Sequence, residues 1–287
     1  MRLSLITINY NGSRETIRLL DSLSRNTDQD FDIFVVDNAS KAEDLKELKD
    51  WTIANHPKVK IIDSSQNLGF SGGNNLALSE AFKNGSDWAL LINNDTWVTQ
   101  DFMGHLRAVL SPKKGLMGLT LDEGTGTAYG GRVEWFQSTL SHVHNPIEKD
   151  DEHLYIIGGG MAISKEAYEK IGPMDEKYFL YFEDADYTLR ARNKNIEINF
   201  VKEPKINHAT STTTKRLGSP LLLRYHFRNA LYFNYRYRSH LLTYIWSIWI
   251  LKKQLWKILF MYNQNESREI LLGVLDFWMS KMGKIQK

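Results

Sequence analysis

Short apolar runs alternate with longer amphipathic segments along the first hundred residues, and this alternation limits the folds open to the chain. The runs are rich in β-branched residues, and apolar residues at helical spacing follow most of them. Apolar strands joined by helices form a mostly parallel sheet that is buried on both faces. The pattern predicts an α/β fold in which helices flank such a central sheet, with strands at Leu3–Ile8, Phe31–Val36, Val59–Ile62 and Trp88–Ile92.

The composition indicates a folded protein and excludes several kinds of site. Apolar residues make up 42% of the 287 residues and charged residues 24%, as in globular proteins. The chain has no cysteine, which excludes disulfides, thiolate metal sites and a cysteine nucleophile, and fits a reducing compartment. Polar Asn9 and Asn11 interrupt the N-terminal apolar run, so we expect no signal peptide and no secretion.

The charge is distributed unevenly along the chain. Residues 1–203 hold 22 Lys and Arg against 31 Asp and Glu, a net charge of −9, whereas residues 204–287 hold 14 against 3, a net charge of +11. A basic tail on an acidic body predicts a polyanionic partner, for which nucleic acid and a membrane surface are the candidates.

Polar residues follow three of the predicted strands. Asn9-Tyr-Asn11-Gly follows the first, Asp37-Asn-Ala-Ser the second and Asn93-Asn94-Asp95 the fourth. Turns and helix caps also favour these residue types, which leaves a purely structural role open for any one segment. Ligands of parallel sheets bind beyond the carboxyl ends of the strands, so the convergence of all three segments there favours a binding site.

A glycine-rich segment, Asn67-Leu-Gly69-Phe-Ser-Gly-Gly73-Asn-Asn75, lies between the third strand and the next helix, which we expect to start after Ser71. Glycines at such a place let backbone N–H groups approach a phosphate. The segment lacks the Gly-Lys-Ser/Thr ending of a P-loop, and Asn9–Gly12 lacks the dinucleotide fingerprint. A nucleotide would therefore be held in another way.

Two places supply carboxylates. Asp95 is a hard oxygen ligand suited to Mg²⁺ or Mn²⁺. Glu183, Asp184 and Asp186 follow the aromatic run Phe179-Leu-Tyr-Phe, which predicts a partly desolvated carboxylate that could act as a base. Acidic residues also stabilise helix N-termini, so a capping role for the three acids is the alternative.

Six segments in order resemble the family 2 glycosyltransferases of GT-A fold, nearest to the rhamnosyltransferase-like branch. The resemblance covers roughly residues 1–210, and no single motif is diagnostic. The segments are Thr7-Ile-Asn9-Tyr-Asn11, Val36-Asp37-Asn38-Ala-Ser, Asn67 to Asn75, Leu91-Ile-Asn93-Asn94-Asp95, Gly172-Pro-Met-Asp-Glu176 and Tyr181-Phe-Glu183-Asp184-Ala-Asp186.

The resemblance implies roles for individual residues. Asp184 matches the catalytic base, and Asp95 matches the last acid of a metal-binding D-x-D element whose first position is Asn93 here. His208 matches a histidine that ligates the metal in some relatives, although a lone histidine is more often structural. Acceptor-side candidates are Glu183, Asp186 and Gly159. Donor-binding candidates are Thr7, Asn9, Asn11, Asp37, Asn67, Gly69, Gly73, Asn75, Asn93, Asn94 and Asp95.

The resemblance also implies a domain organisation and an activity. We expect a GT-A catalytic domain at 1–210, with a donor-binding part at about 1–115 and an acceptor part at about 116–210, followed by a basic, aromatic helical extension at 211–287. The expected reaction is inverting, metal-assisted sugar transfer with an Asp general base. The donor would be a dTDP- or UDP-sugar, with rhamnose as a candidate sugar, and the acceptor a hydroxyl of a saccharide or lipid-linked saccharide.

A glycosidase and a binding module without catalysis are the two alternatives to a glycosyltransferase. A glycosidase places two acids on opposite sides of one bond, which adjacent Glu183 and Asp184 do not suit. A nucleic-acid or membrane-surface binding module without catalysis is the alternative that the basic, aromatic tail supports. The six segments favour the transferase, and no nucleic-acid partner is expected.

The tail itself predicts contact with a membrane surface through residues 215–262. Basic residues from Lys215 and Arg216 onward alternate with aromatic ones, which is typical of interfacial segments. The apolar run Leu241–Leu251 is shorter than the roughly 20 residues that span a bilayer. We expect a cytoplasmic protein peripheral to the inner face of the cell membrane. The alternative is that the aromatics pack on the catalytic domain or in a homodimer.

Overall fold

The fold is known from a computed structural model, which describes residues 1–135, 139–208 and 220–286. The predicted β-α-β alternation is present in the first part. Its strands and helices, in chain order, are β1 (Leu3–Asn9), α1 (Ser13–Ser24), β2 (Phe31–Asp37), α2 (Ala42–Asn55), β3 (Lys60–Asp63), α3 (Gly69–Lys83), β4 (Trp88–Ile92), β5 (Thr96–Trp97) and α4 (Phe102–Leu110).

The second part mixes short strands with two helices, and the described part of the tail is helical. The strands are β6 (Leu116–Asp122), β7 (Thr127–Ala128), β8 (Gly130–Glu134), β9 (Thr139–Val143), β10 (Leu154–Tyr155), β11 (Gly160–Ser164) and β12 (Ile198–His208). The helices are α5 (Lys165–Ile171), α6 (Glu183–Asn193), α7 (Pro220–Tyr237), α8 (His240–Leu259) and α9 (Gln264–Trp278).

The central sheet has the strand order β3-β2-β1-β4-β11-β6-β12-β5, with β7 paired to β6. Strands β1 to β4 are parallel, as predicted, and β12 is parallel to β6. Strand β11 runs antiparallel between β4 and β6, so the sheet is mixed beyond β4. Strands β10, β8 and β9 form a second, antiparallel sheet.

Both faces of the central sheet are buried, as the continuous apolar strands predicted. Alternate residues of a strand point to opposite faces. On β1, Leu3 and Leu5 pack with α1 and α4 on one face, whereas Ile6 packs with α3, α5 and α6 on the other.

Helix α3 begins at Gly69 and so already includes Ser71, after which we expected it to start. Gly69 has a φ of +71°, and a Cβ there would lie 2.3 Å from the carbonyl oxygen of Phe179. The glycine therefore permits both the turn into the helix and its close approach to another loop. A tertiary contact, and not the local sequence period, decides where this helix starts.

Helix α8 presents apolar residues to solvent and smaller or polar ones to the protein. Its buried residues are Thr243, Ser247, Ile250 and Gln254, which recur at helical spacing. Its exposed apolar residues include Leu241, Leu242, Ile245, Ile248, Trp249, Leu255, Trp256 and Leu259, and Leu259 is 77% exposed. This arrangement reverses the usual one for a surface helix. Among the described helices, none is both long and apolar enough to cross a bilayer.

Candidate active site

The carboxyl ends of β1 and β2 meet in a buried polar network. Asn9 pairs in register with Asp37, and its Nδ2 donates to Asp37 Oδ1 at 2.9 Å, to Ser40 Oγ at 3.1 Å and to Asp44 Oδ2 at 2.8 Å. Its Oδ1 accepts from the Thr16 hydroxyl. The strand ends therefore converge as predicted, and the contacts of Asn9 orient Asp37.

Two further donor-binding candidates lie beside this network. Thr7 is 2% exposed, and its hydroxyl has no hydrogen-bond partner among the described residues. Asn11 has a φ of +50°, and its Oδ1 accepts from the backbone N–H of Lys41. Asn11 thus shapes the turn after β1, in keeping with the structural alternative for that segment.

The glycine-rich segment is anchored by Asn38, which the site prediction did not include. Asn38 accepts from the N–H of Leu68 at 2.9 Å and donates to the carbonyl of Gly69 at 3.0 Å, and the Asn67 side chain accepts from the N–H of Gly69. Gly73 lies inside α3 against Ile8 of β1. The segment is thus the first turns of α3 and not an open loop.

Asn75 has a different environment from the one predicted for it. Its amide nitrogen donates to Met174 O at 2.9 Å and Glu176 Oε1 at 3.0 Å, and its oxygen accepts from Met174 N at 2.8 Å. Within the structure, Asn75 joins α3 to the Met174–Glu176 turn, and we leave it out of the proposed donor site.

The peptide Gly158–Gly159 lies between the end of β4 and the carboxylate of Asp184. Antiparallel pairing of Gly160 with Ile92 brings Gly159 beside Asn93. A Cβ at Gly159 would lie 2.5 Å from Asn93 Nδ2, so a larger residue there would displace the Asn93 side chain. The N–H of Gly158 donates to Asp184 Oδ2 at 3.0 Å. The structure therefore brings the predicted donor side and the predicted base together.

Asp184 and Glu183 occupy the first turn of α6 and have perturbed pKa values. Burial raises the pKa of Asp184, and hydrogen bonds from the N–H groups of Gly158 and Ala185 oppose that shift. Burial, and next the charge of Asp184, raise the pKa of Glu183 well above its usual range. Glu183 is 5% exposed, and its Oε2 has no hydrogen-bond partner within the described parts of the chain. Perturbed carboxyls in a polar site are typical of acid–base chemistry.

Asp186, an acceptor-side candidate, is fully buried among cationic and phenolic groups. Its carboxylate accepts from Arg190 Nε at 2.8 Å, from an Arg236 guanidinium nitrogen at 2.8 Å, and from the hydroxyls of Tyr237 and Tyr178. These contacts join α6 to α7. We assign Asp186 to this internal contact and omit it from the proposed acceptor site.

The loop that leads into α6 is held by α7. Phe179, Tyr181 and Phe182 all have positive φ, a conformation that costs non-glycine residues of the order of 1–3 kcal/mol each. Asn229 Nδ2 donates to the carbonyls of Tyr178, Leu180 and Tyr181 at 2.7–3.1 Å. The buried guanidinium of Arg228 bonds to carbonyls of Tyr178, Lys281 and Gly283. The tail thus fixes the loop that carries Asp184, and the sequence contained no local signal of it.

Asp95 and His208 meet although they are 113 residues apart. His208 Nε2 lies 3.1 Å from Asp95 Oδ1, and the side chains are 15% and 12% exposed. The hydrogen bond to Asp95 raises the pKa of His208. Asn94 lies alongside and donates to Thr16 Oγ1 at 3.0 Å. Pairing of β12 with β5 produces this juxtaposition.

The donor set at Asp95 and His208 fits a divalent cation that shares its coordination with phosphate. No cluster of three or more His, Asp or Glu side chains suited to a metal occurs in the described residues. Mg²⁺ is usually held by one or two carboxylates together with waters and substrate phosphates, so a single carboxylate with one histidine is sufficient in principle.

A second contact between a histidine and a carboxylate lies nearby and was not predicted from the sequence. His142 Nδ1 lies 3.2 Å from Glu123 Oε1, which joins β9 to the turn after β6. Besides the larger effects described above, His142 slightly lowers the pKa of Asp184, and the charge of Glu123 slightly raises the pKa of His208. The two residues are 19 positions apart in the chain, and only the folded strands bring them together.

The family model for glycosyl transferase family 2 matches residues 4–172, more than half of the chain. The chain belongs to glycosyltransferase family 2. This confirms the resemblance and the expectation of an enzyme that transfers sugars, and it decides against a binding module without catalysis. A second model, described as the N-terminal domain of galactosyltransferase, matches residues 139–215.

Curated relatives of this family 2 glycosyltransferase include hexosyl- and rhamnosyltransferases. It is 26% identical over 240 residues to the low-salt glycan biosynthesis hexosyltransferase Agl10 of Haloferax volcanii, covering 79% of this chain and 73% of that one. It is 21% identical to the dTDP-rhamnosyl transferase RfbF of Shigella flexneri, with 78% and 77% covered. It is also 21% identical to the N-acetylglucosaminyl-diphospho-decaprenol L-rhamnosyltransferase of Mycobacterium tuberculosis, with 78% and 81% covered.

Solved structures confirm the GT-A fold of this family 2 glycosyltransferase. The structure of GalNAc-T7 with UDP, GalNAc and Mn²⁺ matches with a TM-score of 0.60 and 17% identity, covering 79% of this chain and 47% of that one. The mannosyltransferase PcManGT of Pyrobaculum calidifontis, in complex with GDP-Man and Mn²⁺, matches with a TM-score of 0.58 and 13% identity, covering 98% and 88%.

Proposed function

We propose that this glycosyltransferase inverts the anomeric centre of a sugar that it moves from a nucleoside diphosphate to an acceptor hydroxyl, with Asp184 as general base. The observation that carries the proposal is the place of Asp184. Its carboxylate is held by the Gly158 N–H, one residue from the glycine that packs on Asn93 at the end of β4. The base thus lies next to the edge of the sheet where the donor is expected.

The environment of Asp184 suits proton transfer from the acceptor. As the acceptor oxygen attacks the anomeric carbon, its proton passes to a carboxylate oxygen of Asp184, and the bond to the diphosphate breaks. Burial raises the pKa of Asp184, which makes its carboxylate a stronger base than an ordinary aspartate. Glu183 keeps its proton more readily still, so Asp184 is the more available acceptor of the two.

Donor binding is proposed at the ends of β1, β2 and β4 and the start of α3. Asp37 is oriented by Asn9, and the Thr7 hydroxyl has no hydrogen-bond partner in the described part of the chain. Both would contact the nucleoside, with Asn67 and Gly69 nearer the diphosphate. Asp95 and His208 would hold Mg²⁺ or Mn²⁺, which when bound supplies positive charge to the departing diphosphate. A dTDP- or UDP-sugar is the proposed donor, and the similarity to the dTDP-rhamnosyl transferase of Shigella flexneri supports dTDP-rhamnose.

The acceptor is proposed to be a saccharide, in particular a lipid-linked one, reached at the inner face of the cell membrane. The exposed apolar residues of α8, together with Lys252, Lys253 and Lys257, support peripheral contact with an anionic bilayer. The similarity to the mycobacterial N-acetylglucosaminyl-diphospho-decaprenol L-rhamnosyltransferase supports a lipid-linked acceptor. Lys215 and Arg216, at the start of the predicted contact, lie outside the described residues, and a homodimer stays a prediction.

A donor screen followed by a transfer assay tests this proposal. Thermal shift with dTDP- and UDP-sugars, in Mn²⁺ and in EDTA, should select a donor by a metal-dependent rise in melting temperature. With that donor and a saccharide acceptor, the anomeric configuration of the product should be opposite to that of the donor. Retention of configuration, or transfer at the parent rate by the Asp184→Asn variant, would contradict the mechanism.

A further inference from the structure

A cleft with a volume of about 760 Å³ lies between α8, the end of α7 and strands β8 and β9. We call it the α8 cleft. Its size falls in the range of about 300–1,000 Å³ that small-molecule sites occupy. Three tryptophans line it, with aliphatic side chains between them; the lining includes Trp135, Leu242, Ile245, Trp246, Trp249 and Ile250.

The lining carries positive charge and polar atoms at defined places. The Arg238 guanidinium lies 5.2 Å from the Trp135 ring centre, and Lys253 Nζ lies 5.0 Å from that of Trp249. The described residues that line the cleft include no carboxylate. Gln254 is 4% exposed, and its Oε1 has no hydrogen-bond partner in the described structure. An apolar cavity with two cations and a buried free acceptor suits an amphiphile with an anionic, hydroxyl-bearing head.

We propose that the α8 cleft binds the hydrocarbon chain of one anionic lipid, with a phosphate at Arg238 and Lys253. An anionic head group complements the charge of the cleft, because Arg238 and Lys253 line it and no Asp or Glu does among the described residues. Leu242, Ile245 and Trp249 line the cleft and also belong to the exposed apolar face of α8. A lipid chain could therefore pass from a bilayer into the cleft along continuous apolar surface.

The inference rests on the proposed function and identifies where the lipid part of the acceptor lies. Trp135 of the cleft wall stacks on Phe233 with ring centres 5.3 Å apart, and Phe233 contacts Phe182 at 5.5 Å. Phe182 directly precedes Glu183 and Asp184. The wall of the cleft is thus packed on the aromatic cluster that directly precedes the base in the chain.

The test is direct binding of decyl phosphate to the full-length chain, at concentrations where the probe is monomeric. Calorimetry and tryptophan fluorescence should show saturable binding at one site. Decanol and inorganic phosphate should each bind at least about tenfold more weakly, because each lacks one half of the recognised chemistry. Equally tight binding of inorganic phosphate would identify a simple anion site and overturn the proposal, as would the absence of saturation.

Two matched pairs of variants on α8 separate the cleft from the surface of the helix. Trp249→Ala and Ile245→Ser change exposed residues that line the cleft, and each should weaken decyl phosphate binding by about tenfold. Trp256→Ala and Ile248→Ser change exposed residues of α8 outside it and should leave affinity within about twofold. Equal effects within either pair would show that the probe binds the helix surface and not the cleft.

A third variant tests the head group, and a transfer assay keeps the two proposals apart. Arg238→Gln should weaken the binding of decyl phosphate and leave the binding of decanol unchanged, since it removes the positive charge. An equal loss of affinity for both would contradict the assigned head-group position.

Transfer to a water-soluble saccharide acceptor does not need the cleft. If decyl phosphate binds as expected and that transfer is absent, the proposed reaction is wrong and the cleft assignment stands; the opposite result removes only the cleft assignment.

Discussion

The catalytic body, residues 1–208, and the helical extension, residues 220–286, differ in what they bury and expose. The body buries polar side chains at strand ends, such as Asn9 and Asp37, where a packed core does not require them. The extension exposes apolar side chains along α8, where water does not favour them. In each region the unfavourable placement supports the ligand proposed there, which is a nucleotide-sugar donor for the body and an apolar surface for the extension.

The two regions meet where α7 contacts the loop before α6, and there the extension behaves as part of the core. Arg228 is 1% exposed and Asn229 is fully buried. Both bond to backbone carbonyls of residues 178–181. Helix α7 thus holds the loop before α6 in place, whereas α8 exposes most of its apolar side chains to solvent.

The largest effect is expected for Asp184→Asn in the body. The variant keeps the size of the side chain and removes the proton acceptor, so kcat should fall by about 10²- to 10⁴-fold while donor binding persists. Steady-state kinetics and calorimetry with the nucleoside diphosphate measure the two quantities. A kcat near that of the parent would show that another group is the base.

Asp95→Ala should weaken donor binding in Mn²⁺ by at least about 10- to 100-fold, the loss that perturbed metal sites show. In EDTA the parent and the variant should bind the nucleoside diphosphate equally weakly, because the metal no longer contributes. Asp101→Ala, which changes an exposed aspartate six residues further along the chain, is the control. Equal parental affinity in Mn²⁺ and EDTA would show that the protein binds the diphosphate without a metal.

Asn229→Ala sharpens the comparison, because it lies in the extension and should act on the body. The carbonyls of Leu180 and Tyr181 lose the Asn229 donor and that of Tyr178 keeps only its other bonds, so the free energy of unfolding should fall by about 1–3 kcal/mol. Where the variant is still folded, kcat should fall more than the donor KM changes, since the catalytic loop is displaced. Denaturant unfolding and kinetics test both, with exposed Asn265→Ala as the control. Lower stability with parental kcat would limit Asn229 to a structural role.

Glu183→Gln should change stability in a pH-dependent way. Burial raises the pKa of Glu183 in the folded protein, so its ionisation opposes folding. The stability that the neutral Glu183 side chain allows is fully present below about pH 4.3, the pKa of a glutamate in the unfolded chain. It is lost as the pH rises through the higher pKa of Glu183 in the folded protein. The Gln variant cannot ionise, and its free energy of unfolding should therefore increase relative to the parent as pH rises above 4.3. A pH-independent difference would exclude this linkage.

The smallest effect is expected for Lys252→Gln on α8. Each exposed basic residue near an anionic bilayer contributes about 1 kcal/mol, so partitioning onto anionic vesicles should fall about fivefold. Neutral vesicles should show no difference, and high salt should reduce binding of the parent. Vesicle co-sedimentation measures this. If the parent binds no vesicles of either kind, the apolar face of α8 has another partner.

Much of the body could be predicted because its signals are local or ordered along the chain. The β-α-β alternation predicted the first four strands to within a residue or two, and the polar strand ends predicted the edge where Asn9, Asp37 and Asn94 converge. The resemblance identified the family, and it predicted that Asp95 and His208 share a metal site. In the folded chain His208 Nε2 lies 3.1 Å from Asp95 Oδ1.

Tertiary structure alone decided which polar residues are free for a ligand and which are used internally. Asn75 and Asp186 satisfy the same motifs as their neighbours, yet contacts with residues 99 and 50 positions away occupy them. Asn229, Arg228 and the reversed faces of α8 likewise depend on which surface each helix packs against. A sequence period records that a helix has two faces, but the direction of each face is determined by packing, because burial is a property of the whole fold.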